Sequence, residues 1–280
     1  NYEGSLKMVP LLIHLPPPSD DTEGGSRDVR DVTDETISKA QIVYNIIAST
    51  LQKGFKSHFY GQRHFGFEII GNKGFVHFYA SVPISMVDVV QQAVVSAYPS
   101  ARLEEVSEHN IFSPIGRISG TMGGELTLKE NFAYPIATYQ DLKRDALQSV
   151  LNALSTLEKE DGAGIQILIR PAASGWRKKA SAFAAKKKKG GGSNKSGAAV
   201  LQFSKDVLSA TVKAPEDKGG KPDDKKELSS LEQSIVDSIE DKTRYAGFEV
   251  LIRVVASSNI SQRAQSIVNN IVASFSLFDA

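Results

Sequence analysis

The amino-acid sequence predicts an α+β protein in which the element order β-α-β-β-α-β occurs twice. Two aromatic-rich runs that alternate apolar and polar residues flank Gly71-Asn72-Lys73-Gly74, which is typical of a β-hairpin. Amphipathic helical patterns precede and follow this hairpin. The same order of patterns begins again after residue 120. These three observations determine the predicted fold class.

The first repeat, predicted over residues 1–120, opens with the apolar segment 6–15. Three prolines follow this segment directly. Because proline has no N–H to donate to a sheet, they mark the end of a strand. After a polar, acidic loop, Thr33 or Asp34 is expected to cap a helix that runs to Leu51, with apolar residues at helical spacing along one face.

The remainder of the first repeat is predicted to be a hairpin, a helix and a strand. Segments 65–70 and 75–82 alternate with period two, which indicates half-buried strands joined by a four-residue turn. Phosphate-binding loops join a strand to a helix, so this turn is not expected to bind phosphate. Ser85 is expected to cap a helix that ends before Pro99, and 101–106 is a short last strand. This order is the split βαβ, or ferredoxin-like, unit.

The second repeat, predicted over residues 121–280, follows the same order. Its elements are a strand at 123–130, a helix at 138–158, strands at 164–171 and 247–256, and a helix at 261–275. The unit lacks only its last strand. The chain starts without an initiator Met, so we expect it to be cut from a longer protein in which that strand follows Ala280.

An insert at residues 172–246 separates the two central strands of the second repeat. It begins with a basic helix candidate at 174–189, and the stretch from 186 to 227 has too few apolar residues to offset the cost of ordering. We expect disorder there, with helices at both ends of the insert forming an antiparallel pair. The run GGGSNKSG inside it departs from a nucleotide-binding loop because Asn194 stands where glycine is required.

Composition excludes several kinds of function. The formal net charge is +1, so no global field attracts nucleic acid or membrane. The absence of cysteine excludes disulfides, thiolate metal sites and a cysteine nucleophile. The five histidines show no metal-ligand spacing, and no GxSxG sequence occurs. We therefore expect no catalytic residues, no metal, no cofactor and no small-molecule substrate.

Phe75, His77 and Tyr79 are the first candidate functional residues. At alternate positions of a predicted strand they share one face, which suits either of two roles. The face can stack bases, as in RNA-recognition motifs, which have the same element order. It can instead pack against the second repeat or a neighbouring subunit.

The basic cluster of the insert is the second candidate. Trp176, Ala180 and Phe183 share one face of the predicted helix, and the charges occupy the rest. Trp176 is a candidate interface residue. A basic amphipathic helix of this kind can contact anionic lipid or a phosphate backbone. The alternative is a solvated helix end whose Trp packs onto the domain. The cluster comprises Arg177, Lys178, Lys179, Lys186, Lys187, Lys188 and Lys189.

Several segments together resemble one family of proteins. They include "AYPSARLEEV" at 97–106, "GAGIQILIRPA" at 162–172 followed by "GWRKKA", and "GFEVLIRVVASSNISQRAQSIVNNIVASFSLF" at 247–278. They look like the N-terminal region of large bacterial ATPases of type IV secretion and conjugative DNA transfer. The resemblance covers nearly the whole chain outside the insert, and it includes no catalytic motif.

The resemblance implies a role beside a motor rather than in it. In that family, membrane helices precede this region and a nucleotidase domain follows. We therefore expect a non-catalytic domain at the cytoplasmic face of the membrane, held there by a span outside this chain. The expected partners are further copies of itself, secretion-channel proteins, and DNA or an anionic membrane surface. The alternative is a nucleic-acid-binding module that uses the insert lysines and the aromatic sheet face.

Overall fold

A computed structural model describes residues 7–14, 29–55, 57, 61–107, 110, 120–138, 146–188 and 230–278. The chain forms two compact units. The sheet unit comprises Asn1–Asn131, Ile136–Trp176 and Tyr245–Ala280, and the helical unit comprises Phe132–Pro135 and Arg177–Arg244. The boundary predicted between residues 120 and 121 lies within the sheet unit, so the division into repeats stays a prediction.

Within the described ranges of the chain, seven strands form one antiparallel sheet. They are β1 (Met8–His14), β2 (Phe65–Asn72), β3 (Phe75–Pro83), β4 (Arg102–Glu105), β5 (Thr121–Leu126), β6 (Gly162–Pro171) and β7 (Phe248–Ser257). Their order across the sheet is β4-β1-β3-β2-β6-β7-β5. The α+β class is confirmed. The repeats were expected to have a sheet each, whereas the structure joins the strands of both into one.

Six helices lie in the part of the chain that the structure describes. They are α1 (Val29–Ser49), α2 (Val87–Ala97), α3 (Ala146–Ser155), α4 (Gly175–Lys188), α5 (Ser230–Lys242) and α6 (Ser261–Ser274). Short 3-10 helices occur at Ile84–Met86 and Phe275–Phe278. Most bounds lie within a few residues of those predicted, because periodicity is a local signal.

The hydrophobic core lies on one side of the sheet, which we call the helix side. Alternate strand residues point to it, as period two requires. One cluster joins Leu11, Phe65 and Ala80 of the strands to Ile47 of α1 and Val90 of α2. A second joins Ile165 and Val254 to Leu154 of α3 and Ile271 of α6. Burying one such side chain stabilises the fold by about 1.5–3 kcal/mol.

The β2–β3 hairpin turns on two residues rather than the predicted four. Asn72 still pairs with Phe75, and only Lys73 and Gly74 lie between them. Both have positive φ, 53° and 83°, which is the geometry of the two-residue turns that match strand twist. Gly71 belongs to the strand instead. A Cβ there would lie 2.7 Å from Leu157 Cδ1, so glycine allows close packing.

The two sets of strands meet where β2 pairs with β6. Eight residue pairs form this seam, from Phe65 opposite Ile169 to Asn72 opposite Gly162. Outward from the seam the strand order is the same on both sides, β2-β3-β1 and β6-β7-β5, and β4 then follows β1. The seam thus makes one sheet of what the sequence presents as two similar series of elements.

The predicted start of α2 is wrong. Ser85 was expected to cap the helix, but residues 84–86 form a 3-10 turn and α2 starts at Val87 without a side-chain cap. The backbone N–H of Ile84 instead donates to Lys7 O at 2.9 Å. The predicted end is confirmed, since α2 stops at Ala97 and Tyr98 leaves the helical conformation.

The helical unit contains α5 and most of α4. Ala180 and Ala184 of α4 and Val236 and Ile239 of α5 are buried. The two helices were predicted to form an antiparallel pair, which in full register would place Lys188 beside the first turn of α5. The ion pair Lys188–Glu240 instead joins the last turns of both helices. Lys186 to Lys188 lie in α4, and the rest of the predicted disordered stretch lies outside the described residues.

Candidate interaction surfaces

Three aromatic rings form a row on the side of the sheet away from the helices, which we call the open side. Phe75, His77 and Tyr79 occupy alternate positions of β3, and successive ring centroids lie 6.4 and 6.3 Å apart. Phe75 is 69% exposed. Large apolar side chains exposed in a row with other rings are typical of contact surfaces.

Polar side chains continue across the open side next to this row. Tyr79 lies opposite Glu68, Glu68 opposite Gln166, and Gln166 opposite Arg253. Gln166 Nε2 donates to Glu68 Oε1 at 2.8 Å, and Ser81 Oγ donates to the same oxygen at 3.4 Å. Burial raises the pKa of Tyr79, and the charge of Glu68 raises it further. The hydrogen bonds from Gln166 and Ser81 offset the cost of burying Glu68, which is only 7% exposed.

Two shallow cavities lie along the same side. One of about 220 Å³ is lined by the three rings together with Ile70, Asn72 and Lys73. The other, of about 450 Å³, lies over Gly123 and Gly164 beside the polar row. Arg253 Nε contacts Glu125 Oε1 at 3.0 Å at its margin. Among the described residues, no group of three or more His, Asp or Glu side chains is placed to hold a metal ion.

Two lysines of the predicted basic cluster make contacts within the helical unit. Lys188 Nζ pairs with Glu240 Oε1 at 2.6 Å. Lys187 Nζ lies 5.2 Å from the ring centroid of Tyr134, a cation–π contact. Both lysines therefore help to hold the helical unit together.

Three further lysines of α4 face outward. Arg177, Lys178, Lys179 and Lys186 are exposed, and Lys189 lies outside the described residues. Ala180 and Ala184 occupy the buried side of the helix. The three exposed lysines therefore share the opposite side, with Ser181, Ala182 and Ala185 exposed between them.

Trp176, predicted as an interface residue, packs inside the sheet unit. A Cβ on Gly247 would overlap both Cε2 and Nε1 of the indole, so the ring lies directly on this glycine. The adjacent backbone is paired too, since Ala172 N donates to Gly247 O at 2.9 Å. The contact corresponds to the alternative in which the Trp packs onto the domain.

The role of Lys242 has no signal in the sequence. Its Nζ donates to Phe132 O at 2.8 Å and to Tyr134 O at 2.7 Å, and burial lowers its pKa. Tyr134 in turn meets Phe183 edge to face, with centroids 5.4 Å apart. Lys242 and Tyr134 are more than a hundred positions apart in the chain, so no local pattern predicts their contact.

A buried carboxylate in the sheet unit was also missed. Asp161 is 2% exposed, and its Oδ2 accepts from Arg263 Nε at 2.7 Å and from Glu158 N at 2.9 Å. Arg263 also contacts Glu158 Oε1 at 3.2 Å. The group ties the loop before β6 to the first turn of α6. The group is a structural link, because the Arg263 guanidinium bonds the buried Asp161 carboxylate directly, while the Glu158 side chain is 73% exposed.

In the described part of the chain, the fold and surfaces define an α+β protein whose sheet unit has seven antiparallel strands, with α1, α2, α3 and α6 on one side and paired polar residues on the other. The chain belongs to the family described as a domain of unknown function, DUF8128, whose model matches residues 25–280. No curated protein and no solved structure matches the chain. Of the helices that the structure describes, none has the length and apolar character that crossing a bilayer requires.

Proposed function

We propose that this chain is a non-catalytic assembly domain beside the membrane in an ATPase of type IV secretion or conjugative DNA transfer. The sequence resemblance supplies the class of motor and the cytoplasmic location. Further copies of the chain and secretion-channel proteins are its proposed partners. The observation that carries the assembly role is the aromatic row on the open side of the sheet.

The row is suited to contact because the core does not use it. Helices α1, α2, α3 and α6 cover the other side of the sheet, and both core clusters lie there. Phe75 stays 69% exposed beside a cavity of about 220 Å³. A partner side chain in that cavity would remove Phe75, His77 and Tyr79 from water, and aromatic residues dominate such contacts.

We further propose that the sheet consists of two ferredoxin-like units joined edge to edge. The order β4-β1-β3-β2 is the one that a βαββαβ unit with this antiparallel pairing produces. In the other half, β6, β7 and β5 occupy the places of β2, β3 and β1, and no described strand corresponds to β4. The element order predicted twice from the sequence supports this interpretation.

Light scattering tests the assembly role directly. The chain is expected to associate as its concentration rises, and Phe75→Ser is expected to weaken association about tenfold or more because an aromatic anchor is lost. Leu128→Ser is the matched control, since Leu128 is 59% exposed on a loop of the same unit. A chain that stays monomeric, or an equal effect of both variants, would contradict the proposal.

The reading frame of the gene tests the class of motor. We expect it to encode an apolar span of about 20 residues before Asn1 and a GxxxxGK[S/T] nucleotide-binding loop after Ala280. A complete gene product without that loop would exclude the ATPase assignment. It would leave the assembly role to be judged by light scattering alone.

A further inference from the structure

We propose that the exposed side of α4 binds an anionic lipid surface by electrostatic attraction alone. This inference rests on the membrane-proximal function proposed above and names the partner of its basic helix. Residues Gly175–Lys188 carry six basic side chains and no acidic one. The structure determines which of these charges face outward.

The outward charges form one flat strip. Lys178 and Lys186 are two helical turns apart, with Ala182 between them, and residues at this spacing lie on one side of a helix. Lys179 lies beside them, and all three lysines are exposed. The intervening exposed side chains are short, so the ammonium groups extend beyond them and can reach a plane of headgroups together.

The apolar side of α4 is not available for insertion into a bilayer. Ala180 and Ala184 are buried in the helical unit, and Phe183 packs against Tyr134. Trp176 lies on Gly247 in the sheet unit. An amphipathic helix that inserts needs its apolar face free, so contact with lipid here is restricted to the charges.

The same observations favour lipid over nucleic acid. Surfaces that read bases or hold single strands use the planar fork of arginine and free aromatic rings that stack on bases. The outward strip is made of lysines, which act as point charges, and both aromatic residues of α4 are engaged. A plane of anionic headgroups requires only point charges at a common height.

The expected strength follows from the number of lysines. One lysine near an anionic leaflet strengthens binding about fivefold, so three strengthen it roughly a hundredfold. The attraction acts within about 10 Å at 0.1 M salt. Binding should therefore be strong at low salt and largely lost at high salt.

The experiment measures co-sedimentation of the chain with phosphatidylcholine vesicles, with and without about 30% phosphatidylserine, at about 50 and 300 mM salt. Lys178→Glu/Lys179→Glu/Lys186→Glu is compared with Lys53→Glu/Lys129→Glu/Lys159→Glu. The control makes the same change of charge at exposed lysines elsewhere. The thermal unfolding midpoint of each variant verifies that it is folded.

The proposal predicts binding that requires phosphatidylserine and low salt and persists in the control. In the α4 variant binding should weaken by more than about a hundredfold, because three attractive charges are replaced by repulsive ones. Emission of the single Trp should not change on binding, because the ring stays on Gly247. The proposal is overturned by absent binding, equal loss in both variants, a blue shift of Trp emission, or tighter binding to a duplex DNA fragment at the same salt. Association measured by light scattering is independent of these results, so the assembly role can survive their failure.

Discussion

Asp161 is the most buried charged residue in the described part of the chain, at 2% exposure. Burial alone would raise its pKa. The hydrogen bonds from Arg263, from the backbone N–H of Glu158 and from Ser258 outweigh that effect, so its pKa lies below the usual value. The folded state therefore favours the charged form of this carboxyl group.

Asp161→Asn is expected to lower the free energy of unfolding by about 2–3 kcal/mol at pH 7, because Arg263 loses a charged hydrogen-bond partner. Urea denaturation measures the difference. Glu158→Gln is the control, since the Glu158 side chain is 73% exposed, and it should cost no more than about 1 kcal/mol. Equal costs would show that burial of the Arg263 partner does not matter.

The contribution of Asp161 should depend on pH. A carboxyl with a lowered pKa in the folded state stabilises the fold above its unfolded pKa of about 3.9. That stability is lost as pH falls through the folded-state pKa. The difference between the wild-type chain and Asp161→Asn should therefore shrink as urea titrations move from pH 7 to pH 3. A constant difference would contradict the lowered pKa.

Single residues also show where sequence patterns fail to locate structure. Gly71-Asn72-Lys73-Gly74 correctly predicted a hairpin, but not that only Lys73 and Gly74 form the turn. Gly71 is needed for packing against Leu157. Because Leu157 is distant in the sequence, the local pattern around Gly71 does not predict this contact. Ser85 has the right chemistry for a cap, yet the 3-10 turn around it leaves α2 to start later.

At the scale of elements, the first turn of α4 packs against the residue that precedes β7. Trp176 lies on Gly247, where any Cβ would overlap the indole. The sequence predicted the helix and the strand because each has its own periodicity. It did not predict their contact, because the two residues come from opposite ends of the insert.

Gly247→Ala is expected to displace the indole and lower the free energy of unfolding by about 1–3 kcal/mol, as overpacking does. The chain has one Trp, so a red shift of its emission reports the displacement. Gly175→Ala adds the same methyl next to Trp176, where no atom outside the two adjacent residues and the helix's own backbone lies within 4 Å of the new Cβ. It should leave the emission unchanged, and a similar shift in both variants would refute the contact.

For the whole molecule, the decisive feature is the seam between β2 and β6. Alternation of apolar and polar residues predicts that each strand has one buried face. Main-chain hydrogen bonds are the same for all strands, so they do not specify which strand pairs with which. For this reason the sequence predicted both series of elements but not their union in one sheet. The sequence placed the candidate residues on the correct strand and helix. The packing of Trp176 on Gly247 and the contacts of Lys187 and Lys188 could be found only from the coordinates.

Ile165→Ala tests whether the sheet unfolds as one unit. Ile165 is 1% exposed, and its truncation should cost about 2–5 kcal/mol. If the seam couples both halves, hydrogen exchange should accelerate for the amides of β3 as well as those of β7. Ile260→Ala, at a side chain 57% exposed, should change neither. Faster exchange in β7 alone would show that the halves unfold separately.

The side chains of Glu68 and Gln166 face each other at the middle of the seam. Two identical strands meeting there would bring like residues together, and two buried carboxylates would repel each other. In a single polypeptide the two strands need not be identical, because each half can change its residues independently. An acid can then face an amide, which makes the junction asymmetric in chemistry while the backbone keeps a matching order of strands on either side.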